Sequence, residues 1–477
     1  MREPERQRPY WFLLLTVALG GVLAPLNSTM LAVALPELRA DFDIGHSAIS
    51  WLISAYLIAM AVAQPLGGRI GDQLGRARVF RYGLIAFLAL SVGASLSPNF
   101  ATLVALRTGQ ALVGAAVIPN GMAMLRTSVP GDRLGRSMGL TAASMSFAAA
   151  VGPLIGTALL AIGSWRLLFL MNVPLVLAAL ACMSALRYPE PLAKQRLALD
   201  WRGALAFAGA LIALTFALNS LSGQGGLAAF GAGLGGTIVL AGAFYLSQRT
   251  SPMPMVEWTL FRTLSYAGAT AYVALSNLVM YTTLVSIPFF IEEVQGKGSG
   301  TSGTLLGAMS VLIAVMSPIG GRLSDSLGRR LPALRAGSLF VLVAVLALLF
   351  GIQRDVSYAY LLVALCVLGL GMGLSFGPAS TAAVESVSAD LAGTAAGTNS
   401  MMRYIGSIVG VGILGAVLGG DGGANDVDLF RAIFAVLTGM AAAACLSTLF
   451  IHHHLPASEA ARVTQDAGAG RALDSVP

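Results

Sequence analysis

The chain has 477 residues, of which 56% are hydrophobic and 11% charged, and its mean hydropathy is +0.78. Soluble domains carry about 25% charged residues, and a chain this apolar has too much surface to hide from water. A soluble globular enzyme, a disordered chain and a nucleic-acid binder are therefore excluded, and the net charge of +7 speaks first of loop topology.

A helix that crosses a bilayer needs about 20 predominantly apolar residues. Fourteen runs qualify: 11–33, 49–68, 79–97, 101–124, 138–162, 167–187, 203–222, 228–247, 265–291, 302–320, 335–352, 358–379, 396–419 and 430–451. The polar opening MREPERQRPY precedes a long run with no small-residue cleavage site, which reads as a retained helix rather than a signal peptide. With the N-terminus placed in the cytoplasm, the inner segments hold 22 of the 29 Lys and Arg and the outer loops five, so both termini are expected inside. The five Trp (11, 51, 165, 201 and 258) sit at span edges, where interfacial anchors belong. Cys182, Cys366 and Cys445 lie inside apolar runs and read as small core residues. His452 to His454 have no Cys or acidic companions, so neither a metal nor another cofactor is expected.

Residues 61–76 read AVAQPLGGRIGDQLGR and residues 314–329 read AVMSPIGGRLSDSLGR, ten identities in sixteen at an offset of 253. Both copies follow spans that enter the cytoplasm from outside. Two copies in one orientation imply two bundles related by an axis along the membrane normal, as in many secondary transporters. The expected fold is all-α: a polytopic membrane protein of 14 transmembrane helices, in two pseudo-symmetric six-helix bundles plus an inserted two-helix hairpin. The divisions expected are 1–190 for the first bundle, 191–262 for a linker with two extra spans, 263–452 for the second bundle and 453–477 for a cytoplasmic tail. The hairpin is expected at the periphery, away from the pathway.

In chain order, the polar points begin with Leu26-Asn27-Ser28-Thr29 in span 1. Gly68-x-x-x-Asp72-x-x-Gly75-Arg76-x-Arg78 lies in a short inner loop, and Gly321-x-x-x-Asp325-x-x-Gly328-Arg329-Arg330 repeats it. One copy alone would pass for a positive-inside turn; the duplication argues for more. Arg107-x-x-Gln110 puts a cation inside span 4, at about 2.5–3.5 kcal/mol if near the bilayer centre, unless it snorkels to the outer interface. Span 5 carries Ala148, Gly152 and Gly156 as a small-residue stripe interrupted by Pro153, suited to close helix contact. Span 13 carries Gly406-x-x-x-Gly410, and the two helices are expected to face each other across the halves.

These motifs resemble the major facilitator superfamily, and specifically its 14-helix drug:proton antiporter branch, over most of residues 10–452. The Gly68/Asp72/Gly75/Arg76/Arg78 turn and the Asp325/Arg329 copy resemble the conformational latch of that family. Gly139-x8-Ala148-x3-Gly152-Pro153-x2-Gly156 is similar to the antiporter motif, although that motif usually has Gly where Ala148 and Thr157 stand. Arg107 and Gln110 resemble the motif placed in proton transfer. Asn27 stands where the family usually has Asp, and Trp165-Arg166-x-x-Phe169-x-x-Asn172-x-Pro174 is a further specific likeness. The resemblance implies a bacterial plasma (inner) membrane protein, monomeric, that exchanges a small amphipathic molecule for protons by alternating access. A proton-coupled importer and a facilitated exporter of one metabolite are the alternatives within the same fold.

No Asp or Glu lies near the middle of a span. Glu292, at the outer end of span 9, is the first choice as proton carrier, against the plain alternative of a solvated loop acid. Glu293, Asp41, Asp43, Glu385 and His46 are the other titratable neighbours. The charges inside spans, Arg107 and Arg403, are both positive, so the cavity is expected to favour neutral or anionic compounds. Its wall is expected to include Met145, Phe147, Tyr281, Phe289 and Met401.

Overall fold

Inside a bilayer no water satisfies backbone N–H and C=O groups, so apolar runs must close their hydrogen bonds within helices. In the computed structural model, which describes residues 11–129, 131–186, 199–221, 226–251, 254–326, 331–388, 391–418 and 426–451, fourteen helices are long and apolar enough to cross a membrane, and no strand occurs among these residues. They are α1 (Trp11–Phe42), α2 (His46–Leu74), α3 (Arg76–Ser95), α4 (Phe100–Ser128), α5 (Ser137–Ile162), α6 (Arg166–Ser184) and α7 (Trp201–Ser220). Then follow α8 (Gly226–Thr250), α9 (Leu264–Val294), α10 (Ser299–Ser324), α11 (Leu331–Gly351), α12 (Tyr358–Glu385), α13 (Gly393–Leu418) and α14 (Val427–Phe450). The His452–His454 run and the tail lie outside the described residues.

Several helices outrun their apolar stretches. At 1.5 Å per residue, the 29 residues of α2 exceed the ~30 Å hydrocarbon layer. Gly68 and Asp72 are consequently helical, and the expected inner loop shrinks to Gly75 alone, whose φ of 98° an L side chain rarely adopts. That corrects the placement of the first motif in a loop. In the second copy, Gly321 and Asp325 are likewise helical, whereas Gly328, Arg329 and Arg330 lie outside the described residues.

The packing obeys a pseudo-twofold rule. Within the first half α1 packs on α5 and α6, α2 on α4, and α3 on α4; within the second, α9 packs on α13 and α14, α10 on α12, and α11 on α12. Across the seam α5 meets α10 and α13 meets α2, two contacts that a twofold exchanges. Ser28 and Tyr281, separated by the repeat offset of 253, share a hydrogen bond of 2.7 Å, as equivalent positions near the axis can.

The small-residue stripes explain why the chain packs this way. A Cβ on Gly152 would lie 3.1 Å from the Met30 backbone N and one on Gly156 2.7 Å from the Met30 carbonyl O, both on α1. Gly410 stands equally close to the Leu278 carbonyl on α9, and Gly406 abuts Ala274 there. So α5 and α13 do not face each other, contrary to expectation. Each lies against the first helix of its own half, and each reaches across the seam to a different partner. Gly303 and Gly307 of α10 close on Thr157 and Leu154 of α5.

The inserted hairpin divides its roles. α8 packs chiefly on α7 and is mostly exposed, as a peripheral helix should be. α7, however, lies against both α2 and α13, over the seam itself, where Ser50 of α2 donates to Asn219 at 3.0 Å.

Candidate functional site

A cavity of about 350 Å³ lies between the halves, lined by α1, α2, α4 and α5 on one side and α9, α10, α12 and α13 on the other. Ser28, Tyr56 and Tyr281 lie in its wall, which continues through Ile118, Ser317 and Phe376 toward the ends of α4 and α10 that carry Arg126 and Arg322. Met60, Met145, Met280, Met309 and Met372 supply flexible, polarizable surface.

The opposite face is shut. There the Gly303–Thr157 contact closes the α5–α10 seam, and Ser50, Asn219 and Gly415 close the α2–α13 seam. A charged cluster adds to the closure: Glu293, at the end of α9, accepts from Arg39 of α1 at 3.0 Å and lies 3.1 Å from Nε2 of His46 on α2. The His46 ring also meets Phe289 edge-on at 5.1 Å.

Of Asn27, Arg107, Gln110, Glu292 and Arg403, the residues expected to couple protons or line the cavity, Arg403 alone lines it. Arg107 lies behind the wall, 2% exposed, with its guanidinium 4.4 Å from the centre of the Tyr56 ring. It does not snorkel to the interface. Its Nη2 donates to the Asn27 carbonyl at 3.3 Å, while Nε and Nη1 are buried with no hydrogen-bond partner among the described residues. Gln110 donates to Ser91 at 2.7 Å, holding α4 against α3.

Asn27 is occupied elsewhere. Its amide and that of Asn172 exchange two hydrogen bonds, 2.6 and 3.0 Å, in a buried pair between α1 and α6. This gives the Trp165-to-Asn172 motif a physical reason. Trp165 donates its backbone N–H to Glu37 at 3.2 Å and its indole N–H to Asp41 at 2.8 Å, and Arg166 lies 3.6 Å from Asp41. The segment thus fastens α6 to the acidic end of α1, and Trp165 is fully buried rather than an interfacial anchor.

Glu292 occupies a π-helical turn, Phe290–Val294, that ends α9. Its Oε1 is buried without a hydrogen-bond partner among the described residues, and Glu37 and Glu293 are the charged groups facing it. On the arginine-rich face, Asp72 accepts from Arg76 one turn on, at 2.8 Å. Arg76 also reaches the Ala123 carbonyl of α4 at 3.4 Å, tying the α2–α3 turn to the end of α4. Asn120 donates to the Gly67 carbonyl at 2.8 Å, and a side chain on Gly71 would overlap Asn120 itself. Gly68 faces Pro119, and Arg78 is placed at the start of α3. The side chain of Asp325 and the whole of Arg329 lie outside what the structure describes.

Of the aromatic and Met positions expected in the wall, Met145 and Tyr281 are there. Phe147 points outward, 65% exposed, and Phe289 and Met401 are packed in the core instead. Tyr56, Tyr404 and Asn277 line the cavity without having been singled out from the sequence.

Residues 17–411 match the family model of the Major Facilitator Superfamily. The chain belongs to this superfamily. Among its relatives, the multidrug resistance protein Stp of Mycobacterium tuberculosis is 31% identical over 408 residues, which is 85% of this chain and 75% of that protein. The tetracenomycin C resistance and export protein of Streptomyces glaucescens is 27% identical over 87% of this chain and 76% of its own length. A crystal structure of a bacterial homologue of the human lysosomal transporter Spinster, inward-facing and unoccupied, superposes with a TM-score of 0.67 at 16% identity, over 93% of this chain and 98% of that one. As a superfamily member the chain is a membrane transporter, and its fourteen spans and motifs fit the drug-efflux type.

Proposed function

We propose that this transporter exports small amphipathic molecules from the bacterial cytoplasm in exchange for protons, by alternating access. The observation that carries this reading is a cavity on the pseudo-twofold axis, sealed on one face and extending toward the arginine-rich face. With the arginine-rich face in the cytoplasm, that is the inward-facing state, ready to take substrate from inside. A wall of aromatic rings and Met thioethers suits loose recognition of apolar bodies. Two of the relatives carry names denoting multidrug resistance, or tetracenomycin C resistance and export.

Proton coupling is assigned to Glu292. Asn27 cannot titrate, and its amide is held by Asn172. Closing the outer seam brings Glu292 of the second half toward Glu37 of the first, with Glu293 alongside and already held by Arg39 and His46. Like charges forced together in a poorly hydrated place repel, and a proton on one relieves the repulsion. Proton uptake from outside therefore favours return to the inward-facing state, the direction exchange requires.

In proteoliposomes, extrusion of a transported dye should accelerate severalfold when an inward proton gradient is imposed. Glu292→Gln should leave flux but remove its dependence on the gradient. Gradient-driven extrusion by Glu292→Gln would sink the carrier assignment, and turnover of a substrate without flux would sink the transport reading.

A further inference from the structure

Resting on that transport reading, we infer that the preferred substrates carry a single negative charge on an apolar, aromatic body, and that Arg403 is the residue that binds this charge. Arg403 is the one charged side chain lining the cavity among the described residues. It makes no ion pair with any of them; its guanidinium lies 5.2 Å from the centre of the Tyr404 ring. A cation held near the middle of a membrane protein is costly unless an anion or a polar field compensates it. No carboxylate of the protein lines the cavity among the described residues, so the compensating anion has to arrive with the substrate.

A second, independent observation has the same sign. Arg107, behind Tyr56, has two of its guanidinium nitrogens buried without hydrogen-bond partners among the described residues. Its one hydrogen bond among the described residues goes to the Asn27 carbonyl, and its guanidinium lies against the rings of Tyr56 and, farther off, Phe169. Two cations with no facing carboxylate give the cavity a positive interior, in surroundings where screening is weak. An anionic head receives a bidentate fork from Arg403, with the hydroxyl of Ser407 and the amide of Asn277 also in the wall as hydrogen-bonding groups. Tyr281, Tyr404 and Phe376 supply faces for an aromatic body. A lipophilic cation would meet the same rings but be repelled by both guanidinium groups.

The test uses three probes of one shape: 1-pyrenebutyrate, its uncharged amide, and the analogue with a trimethylammonium head. Binding to the purified full-length protein is read by equilibrium dialysis, and export is read in proteoliposomes. The anion should bind at least tenfold tighter than the amide and the cation weakest of the three. Arg403→Lys should keep most of that preference, and Arg403→Gln should erase it while the variant's melting temperature matches the parent's, which shows that it is folded. Arg403→Glu should invert the order toward the cation. Equal or better binding of the cation, or an anion preference that survives Arg403→Gln, would overturn the inference. The binding preference is independent of flux: if it holds while no compound is exported under any gradient, the efflux reading fails and the anion site stands, whereas export with a preference for cations removes the anion site alone.

Discussion

Replacing Gly156 or Gly410 by Val abolishes transport and lowers the melting temperature of the purified protein. A Cβ at either position would sit 2.7 Å from a backbone carbonyl, that of Met30 on α1 or Leu278 on α9. Backbone cannot swing aside as a side-chain tip can, so the helices must separate. Overpacking of this kind typically costs about 1–3 kcal/mol, and here it also displaces the two helices, α1 and α9, that bring Ser28 and Tyr281 together. The two variants should behave alike, because each glycine sits on the fifth helix of its half against the backbone of that half's first helix. Gly139→Val is the control. Gly139 belongs to the same sequence motif, yet a Cβ there has nothing within 4 Å. Thermal unfolding and proteoliposome flux measured side by side check this. A fully active Gly156→Val would mean that the α1–α5 contact is not tight.

Asp72→Asn loses transport by at least tenfold while inserting and melting like the parent protein. Asp72 is 58% exposed and Arg76 31%, so their ion pair contributes only about 0–1 kcal/mol to stability. A large functional loss from so weak a pair has to arise elsewhere, in the balance between the inward- and outward-facing states. In the structure Asp72 holds Arg76, and Arg76 reaches α4, all within the first half. The arginine-rich face is therefore free to part, as an inward-facing state requires, and the same carboxylate is available to grip the second half when that face closes. Normal flux by Asp72→Asn would remove the latch from the account.

The number of helices and their repeat were legible in the sequence because lipid imposes a strong one-dimensional signal. A span must be apolar for about 20 residues, and a doubled motif at a fixed offset reveals a doubled bundle. What lies beside what was much less legible. In lipid the alternative neighbour of an apolar side chain is as apolar as another helix, so the Gly152/Gly156 and Gly406/Gly410 stripes announce a close contact without naming the partner. They suggested that α5 and α13 meet; the structure pairs them with α1 and α9. The latch glycines and arginines suggested a loop, because polar and small residues mark the end of an apolar run but not the end of a helix that continues into water. Arg107 was ambiguous because its compensation, the Tyr56 face, comes from another helix far away in sequence. Phe147 was misplaced for a simpler reason. Successive residues of a helix point about 100° apart, so Met145 can face a cavity while Phe147 faces outward. Trp165 looked like an interfacial anchor by position alone; its partners Glu37 and Asp41 lie in the first helix and are invisible to a count along the chain.

Two homologous bundles that pivot about the cavity must open the seam now closed in every cycle. A disulfide across that seam would prevent it. A Cβ on Gly303 of α10 would lie 2.7 Å from the Thr157 Cβ of α5, so a slight widening of this seam brings paired cysteines to the ~3.8 Å Cβ separation a disulfide needs. In a background with Cys182, Cys366 and Cys445 replaced by Ala, Thr157→Cys with Gly303→Cys should transport when reduced. Oxidation should stop transport, and reductant should restore it. Undiminished flux through fully cross-linked protein would contradict the account, because substrate would then be crossing a membrane protein whose two halves cannot part on that face.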